Sequence, residues 1–210
     1  GRTFKEIELL MGATTKDFGQ FQKDLFEIAR QTGKTFSEVA ESATEFARQG
    51  LKTEEAAKRI SAAMTLSALS GMKAADATEA LTAAVNTFND SALDATTIVN
   101  KLAQADAKFA VSSEDLAEGI KRSAAAALDA KVSFAELGAL ITSLQQNTAR
   151  GGSVIGNSFK TIFTRIQRPE TLRQLKDLGV VVEDSNRQIL PAIQILKNYA
   201  KVYDTSKTQR

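Results

Sequence analysis

The chain has 210 residues, enough for one large domain or two small ones; 43% are hydrophobic and 25% charged, and its net charge of only +2 implies no general attraction to nucleic acid or anionic membrane. It contains no cysteine and no histidine, which excludes disulfides, thiolate nucleophiles, Cys-His pairs, histidine-based serine triads and zinc sites of the usual kind. Against two prolines stand 33 alanines and 11 phenylalanines, a composition that predicts an all-helical protein whose alanines let helices pack closely while phenylalanine supplies much of the core bulk.

The first residues, Gly1 to Phe4, include no start methionine and no signal-peptide pattern, so the chain reads as a fragment or a processed product. Phe4 to Met11 predicts a helix ended by Gly12. Thr15 is the expected cap of a second, with Phe18, Phe21, Leu25 and Ile28 on one face and Gly33 as its stop. Thr35 and Glu38 have capping-box spacing and open a helix bearing Phe36, Val39, Ala43 and Phe46, ended by Gly50. Thr53, followed by Glu54 and Glu55, starts the next, since carboxylates in a first turn suit the helix dipole; it runs to Gly71. Ala74, Ala77, Leu81, Ala84, Val85 and Phe88 form the cleanest amphipathic stripe in the chain. Asn89 to Ser91 is turn chemistry, and Ser91 and Asp94 are candidate caps for a helix burying Ile98, Val99, Leu102, Ala105 and Phe109.

Val111 is placed to staple onto Leu116 across a cap at Ser112 and Asp115, and that helix continues through Ile120 and Leu128 to a turn at Asp129 to Lys131. Ser133 and Glu136 repeat the capping-box spacing, with Phe134, Leu137, Leu140, Ile141 and Leu144 as the stripe behind it. Gly151-Gly152 breaks this helix. A second stripe follows at once, Ile155, Phe159, Ile162, Phe163 and Ile166, and stops at Pro169. Leu172, Leu175 and Leu178 suit a short helix ended at Gly179; Val180 to Val182, a turn at Glu183 to Asn186, and Gln188 to Leu190 suit a small β-hairpin. Pro191 fits the first turn of a last helix with Ile193, Leu196 and Val202, and Asp204 to Arg210 reads as a disordered tail.

The expected architecture is therefore all-α, an irregular bundle of antiparallel helix hairpins or a solenoid. Its expected parts are N-terminal helices over 1–33 acting as a connector, a compact core module over 34–169, C-terminal helices with an extended segment over 170–203, and the tail 204–210. A weak internal repeat relates Ser37, Thr53 and Gly71 to Ser113, Ser133 and Gly151. The longest uninterrupted apolar stretches, such as 124–128, hold about five residues where a bilayer span needs about 20.

Candidate chemistry is sparse. Gly151, Gly156, Asn157 and Ser158 approach the spacing of a phosphate-binding loop, but asparagine holds the lysine position and no strand precedes it, so the reading is a helix-to-helix turn. Arg150, Lys160, Arg165, Arg168, Arg173 and Lys176 face one acid, Glu170, and read first as a solvated polar face and second as a surface for an anionic partner or a nucleic-acid backbone. The acid pairs Glu54-Glu55 and Glu114-Asp115 sit where helix starts want negative charge. No catalytic, cofactor-binding or metal-binding residue is expected.

From Phe36 to Pro191 the chain resembles the conserved core region of phage tail tape measure proteins of long-tailed bacteriophages and prophages. The phrases that carry the likeness, in order, are "TFSEVAESATEFARQGLKTEEA", "AADATEALTAAVNTFNDSALDATTIVNKLAQADAKFAVSSEDLAEGIKRSAA", "SFAELGALITSLQQNTARGGSVIGNSFKTIFTRIQRP" and "LKDLGVVVEDSNRQILPAIQIL". Gly151-Gly152, Arg165 to Pro169 and Leu178-Gly179-Val180 match the family's order of glycine turn, basic helix end with proline, and "LGV" before an acidic turn. The chain departs from it at Ala124 to Ala127, where a turn is common, and at Lys160, where arginine is common. The resemblance implies a non-enzymatic structural protein, without cofactors, of the tail lumen in the virion and of the host cytoplasm during assembly. It implies a part in setting tail length and release with the DNA at infection. The partners it implies are tail tube and tail-tip or baseplate proteins, tail assembly chaperones and further copies of itself, with transient host membrane contact and no specific nucleic acid binding. Two other readings stand beside it: a helical protein-protein adaptor and a membrane-active helical protein. Breaks about every 20 residues make the segment a compact module rather than a length-setting rod, which needs long unbroken helix.

Overall fold

Capping side chains and left-handed glycines mark several of the helix ends. The computed structural model describes residues 2–88, 94–109 and 111–208. Among them the chain forms α1 (Arg2–Met11), α2 (Thr15–Thr32), α3 (Phe36–Arg48), α4 (Thr53–Ser70), α5 (Ala74–Thr87), α6 (Ala95–Phe109), α7 (Ser113–Asp129), α8 (Phe134–Asn147), α9 (Gly152–Ile166), α10 (Pro169–Asp177) and α11 (Ala192–Thr208). The fold is all-α, as composition predicts.

Both capping boxes close. Thr35 and Ser133 accept from the backbone N–H groups of Glu38 and Glu136, and each glutamate reaches back to its cap residue's N–H. Ser112 Oγ accepts from Asp115 N at 3.2 Å, and Asp94 Oδ1 from Thr97 N at 2.7 Å. The expected turn at Asn89 to Ser91, and Ser91 as a cap, lie outside the described residues. The cap of α2 is Thr14 rather than Thr15, because it is Thr14 whose hydroxyl accepts from Asp17 N. At the end of α7, Val132 N donates to Ala127 O and Lys131 N to Leu128 O, a Schellman closure. Its left-handed position, φ 58°, is held by Lys131 instead of glycine. The Lys131 ammonium donates to Ile189 O at 2.9 Å, which gives the lysine a tertiary reason to be there.

The C-terminal segment differs in detail from expectation. The hairpin reduces to one antiparallel bridge, Glu183 to Ile189, around a turn in which Asp184 Oδ1 accepts from Asn186 N and Gln188 N. Pro191 precedes α11 instead of lying within it. Residues 204–208, expected to be disordered, are helical as the end of α11. There Tyr199 stacks on Tyr203 one turn on, and the Thr205 hydroxyl donates to Lys201 O, local contacts that extend the helix. Several stripe residues also face solvent: Phe109, Leu128, Leu144, Ile162, Leu178 and Leu196.

One buried cluster runs from Ile7 to Ile195. The helices of segment 1–33 share it: Phe4 sits 5.3 Å from Phe36 and 6.3 Å from Phe18, ring centre to ring centre, and α2 packs on α3 and α4. Two related halves make up the remainder. In the first, α3, α4 and α5 follow one another, with Ser42 of α3 and Thr78 of α5 joined by a buried hydroxyl-hydroxyl bond of 2.9 Å. In the second, α7, α8 and α9 follow in the same order. Ser42 and Gly119 each lie seven residues after the N-cap of their helix, and Thr78 and Gly156 each lie five after theirs. The short α10 and the bridge after it break the pattern, so the fold is an irregular bundle with two related halves. Helix α6 and the Lys121–Glu79 ion pair, 2.6 Å between α7 and α5, connect them.

The halves differ in how near the outer helices approach. Helices α7 and α9 make the most extensive contact among the described helices. A Cβ on Gly152 would lie 1.8 Å from Asp115 O, and one on Gly156 would lie 2.6 Å from Gly119 O and 2.9 Å from Gly119 Cα. A Cβ on Gly119 in its turn would meet Ile141 at 3.1 Å and Gly152 O at 3.3 Å. Only glycine lets these backbones touch, whereas Ser42 and Thr78 hold α3 and α5 apart by the length of two side chains. Gly138, inside α8, has nothing within 4 Å of an added Cβ.

The two kinds of helical glycine should therefore respond oppositely to alanine. Gly156→Ala is expected to lower stability by about 1–3 kcal/mol through overpacking, and Gly152→Ala by more, since its Cβ would lie 1.8 Å from a backbone oxygen against 2.6 Å at Gly156. Gly138→Ala should raise it by roughly 0.5–1 kcal/mol through helix propensity. Urea unfolding of the three variants measures all of these, and a stabilising Gly156→Ala would refute the close crossing.

Candidate functional site: interaction surfaces

Each acid pair singled out in the sequence has a structural partner. Glu54 and Glu55 pair with Lys58 and Arg59 one turn on, at 3.6 and 3.3 Å. Asp115 does more than start α7: its Oδ1 accepts from Gly152 N at 2.9 Å, across 37 residues of sequence. It thereby occupies the place an anion would take at the start of α9. That disposes of the phosphate-loop likeness, because the chain's own carboxylate binds there and the Ser158 hydroxyl is turned back onto Val154 O. Sequence reasoning missed this role, and nothing local signals it. Among the described residues no group of three or more acids is placed to hold a metal ion, and no helix is long and apolar enough to cross a membrane.

The described surface offers, among its open features, an apolar groove and a basic ridge. The first is an apolar groove of about 350 Å³ between α6, α7 and α8. Leu102 and Phe109 form one wall, Leu116 and Ile120 the base, and Ala135, Gly138 and Ala139 the other wall. The three small residues, at helical spacing on α8, leave the space unfilled. Phe109, expected in the core, lies at its edge with 41% of its surface exposed, and Gln146 Nε2 donates to its carbonyl at 3.2 Å.

The second is a ridge along α9 into the start of α10, where Asn157, Lys160, Thr161, Thr164, Arg165 and Arg168 surround an open depression of about 410 Å³. It lies opposite the buried Ile155, Phe159, Phe163 and Ile166. Of the six cations in this stretch, Lys176 is paired with Glu183. Among the described residues Lys160, Arg165, Arg168 and Arg173 have no carboxylate within 4 Å. The structure brings Lys160, Arg165 and Arg168 together and leaves Arg150 and Arg173 outside the depression.

Comparison with known proteins now decides the family. The model of the family described as "Phage-related minor tail protein" matches residues 13–210. The chain belongs to that family. It is a phage tail protein with a structural role in the virion, and minor tail proteins of this kind are generally non-enzymatic. No solved structure matches it.

Two carboxyls of this tail protein are held by backbone N–H groups at helix starts. The Thr35 N–H holds the Glu38 carboxyl below the ordinary glutamate range, with help from the Thr35 hydroxyl, and the Thr97 N–H does the same for Asp94. A carboxyl whose folded value is lowered contributes stability above its unfolded value, near pH 4, and loses it as pH falls through the folded one. The melting temperature should therefore fall below about pH 4. Glu38→Gln should lower it at pH 7, and that difference should shrink on acidification. A difference independent of pH would show that the charge of Glu38 contributes nothing.

Proposed function

We propose that this phage tail protein is a compact helical module of a tail tape measure protein, acting in tail assembly and tail-length determination and released with the DNA. The order of the sequence phrases from Phe36 to Pro191, within a chain of the minor tail family, is the observation that carries the reading. Geometry supports the qualification that the segment is not the measuring rod. Its longest helices have 18 residues, about 27 Å at ~1.5 Å per residue, and each is followed by a turn. The module works by binding, without catalysis or cofactor. Its partners on this reading are tail tube and tail-tip or baseplate proteins, assembly chaperones and further copies of itself, in the tail lumen of the virion and, before that, in the host cytoplasm. The apolar groove between α6, α7 and α8 favours a second reading, a protein-protein adaptor, because exposed apolar concavities of this kind mark protein contacts.

In-frame deletions separate the two in a phage carrying the gene. Removing helices within residues 35–168 should abolish tails altogether, as loss of a folded module would, visible by electron microscopy. Complete tails shortened in proportion to the deletion would make the segment a ruler and overturn the compact-module assignment. Complete tails of normal length would leave only the adaptor reading.

A further inference from the structure

The α9 ridge gathers three cations around one open depression. Arg165, in the last turn of α9, suits the negative end of the helix dipole. Lys160 lies in the middle of that helix, away from either end, and Arg168 stands between the negative end of α9 and the start of α10, where the two helix dipoles act in opposite senses. Among the described residues none of the three has a carboxylate within 4 Å. Three like charges around one depression repel one another, and a polyanion relieves that repulsion.

We infer that this ridge binds the phosphate backbone of duplex DNA, without reading its sequence, through Lys160, Arg165 and Arg168, with Asn157, Thr161 and Thr164 between them. Amide and hydroxyl groups among cations are what phosphate and sugar contacts use. Base stacking is not available, because Phe159 and Phe163 are buried on the opposite face of α9. The residues around the depression include no large apolar or aromatic side chain of the kind an interfacial helix inserts into lipid. Backbone contact with a duplex is the mode these groups fit. It rests on the geometry of the ridge and not on the tape measure reading, which would stand if it failed.

The test is fluorescence anisotropy with the 210-residue chain and a labelled 20-base-pair duplex of arbitrary sequence, between 50 and 200 mM salt. With about three phosphate contacts the slope of log K against log salt should be about −2.7, an affinity loss of roughly 40-fold across that range. The triple variant Lys160→Glu, Arg165→Glu, Arg168→Glu should lose at least tenfold in affinity at 50 mM, with its helical circular dichroism intact. Reversal of Lys16 and Lys23 on α2 should change affinity less than twofold. No binding by the unaltered chain at 50 mM, a slope near zero, or equal loss in both variants would overturn the inference. Binding to phosphatidylserine vesicles without binding to the duplex would overturn it too, in favour of a membrane surface. Should the triple variant not fold, the slope of the unaltered chain and the neutral variant Arg165→Gln, Arg168→Gln, expected to flatten that slope by about 2, decide the matter.

Discussion

Close backbone contact between α7 and α9 is the constraint on which the rest of this structure depends. Gly152 lies against Asp115, Gly156 against Gly119, and Gly119 also against Ile141 of α8. Three helices of the second half are therefore fixed relative to one another by places where no side chain exists. Close approach brings the backbones into contact from Gly152 to Gly156 and lets Asp115 reach the start of α9. Phe163 and Ile155 of α9 are buried in the same core. The first half uses the same positions with Ser42 and Thr78, and exchanges backbone contact for one buried hydrogen bond. One arrangement, built twice with different small residues, accounts for both halves.

The surface features follow from this. Packing of the Gly152, Gly156, Phe159 and Phe163 side of α9 against α7 turns Lys160, Thr164 and Arg165 outward, which is why the basic stretch becomes a ridge. Helix α8, held at Gly119 through Ile141, turns Ala135, Gly138 and Ala139 toward α6, where their small size leaves the apolar groove. This phage tail protein thus presents an apolar groove and a basic ridge, both positioned by the same glycine contacts.

Much of this was legible in the sequence because it is local. Thr35 with Glu38, Ser133 with Glu136, and glycine after α2 and α4 fix helix ends by contacts within a few residues, and each falls within a residue or so of expectation. Tertiary roles were not legible. Gly156 and Gly138 both sit inside helical patterns, and the sequence does not distinguish the one that meets a backbone from the one that meets open space. Asp115 reads as an ordinary first-turn acid; its bond to Gly152 requires knowing that α9 returns to α7. Ile162 was assigned to the core by spacing alone, yet the buried face of α9 is centred on its glycines and phenylalanines, which leaves Ile162 at its edge. The two hydrophobic periodicities were right in phase and too generous in width.

Native-state hydrogen exchange tests the glycine crossing most directly, residue by residue. If α7 and α9 are one unit, the amides of Ile120 and Ala124 and those of Phe159 and Phe163 will be among the slowest to exchange. They will share one opening free energy and one denaturant dependence, equal to those of global unfolding. Exchange of the α9 amides through a separate, smaller opening, while α7 stays protected, would contradict the account.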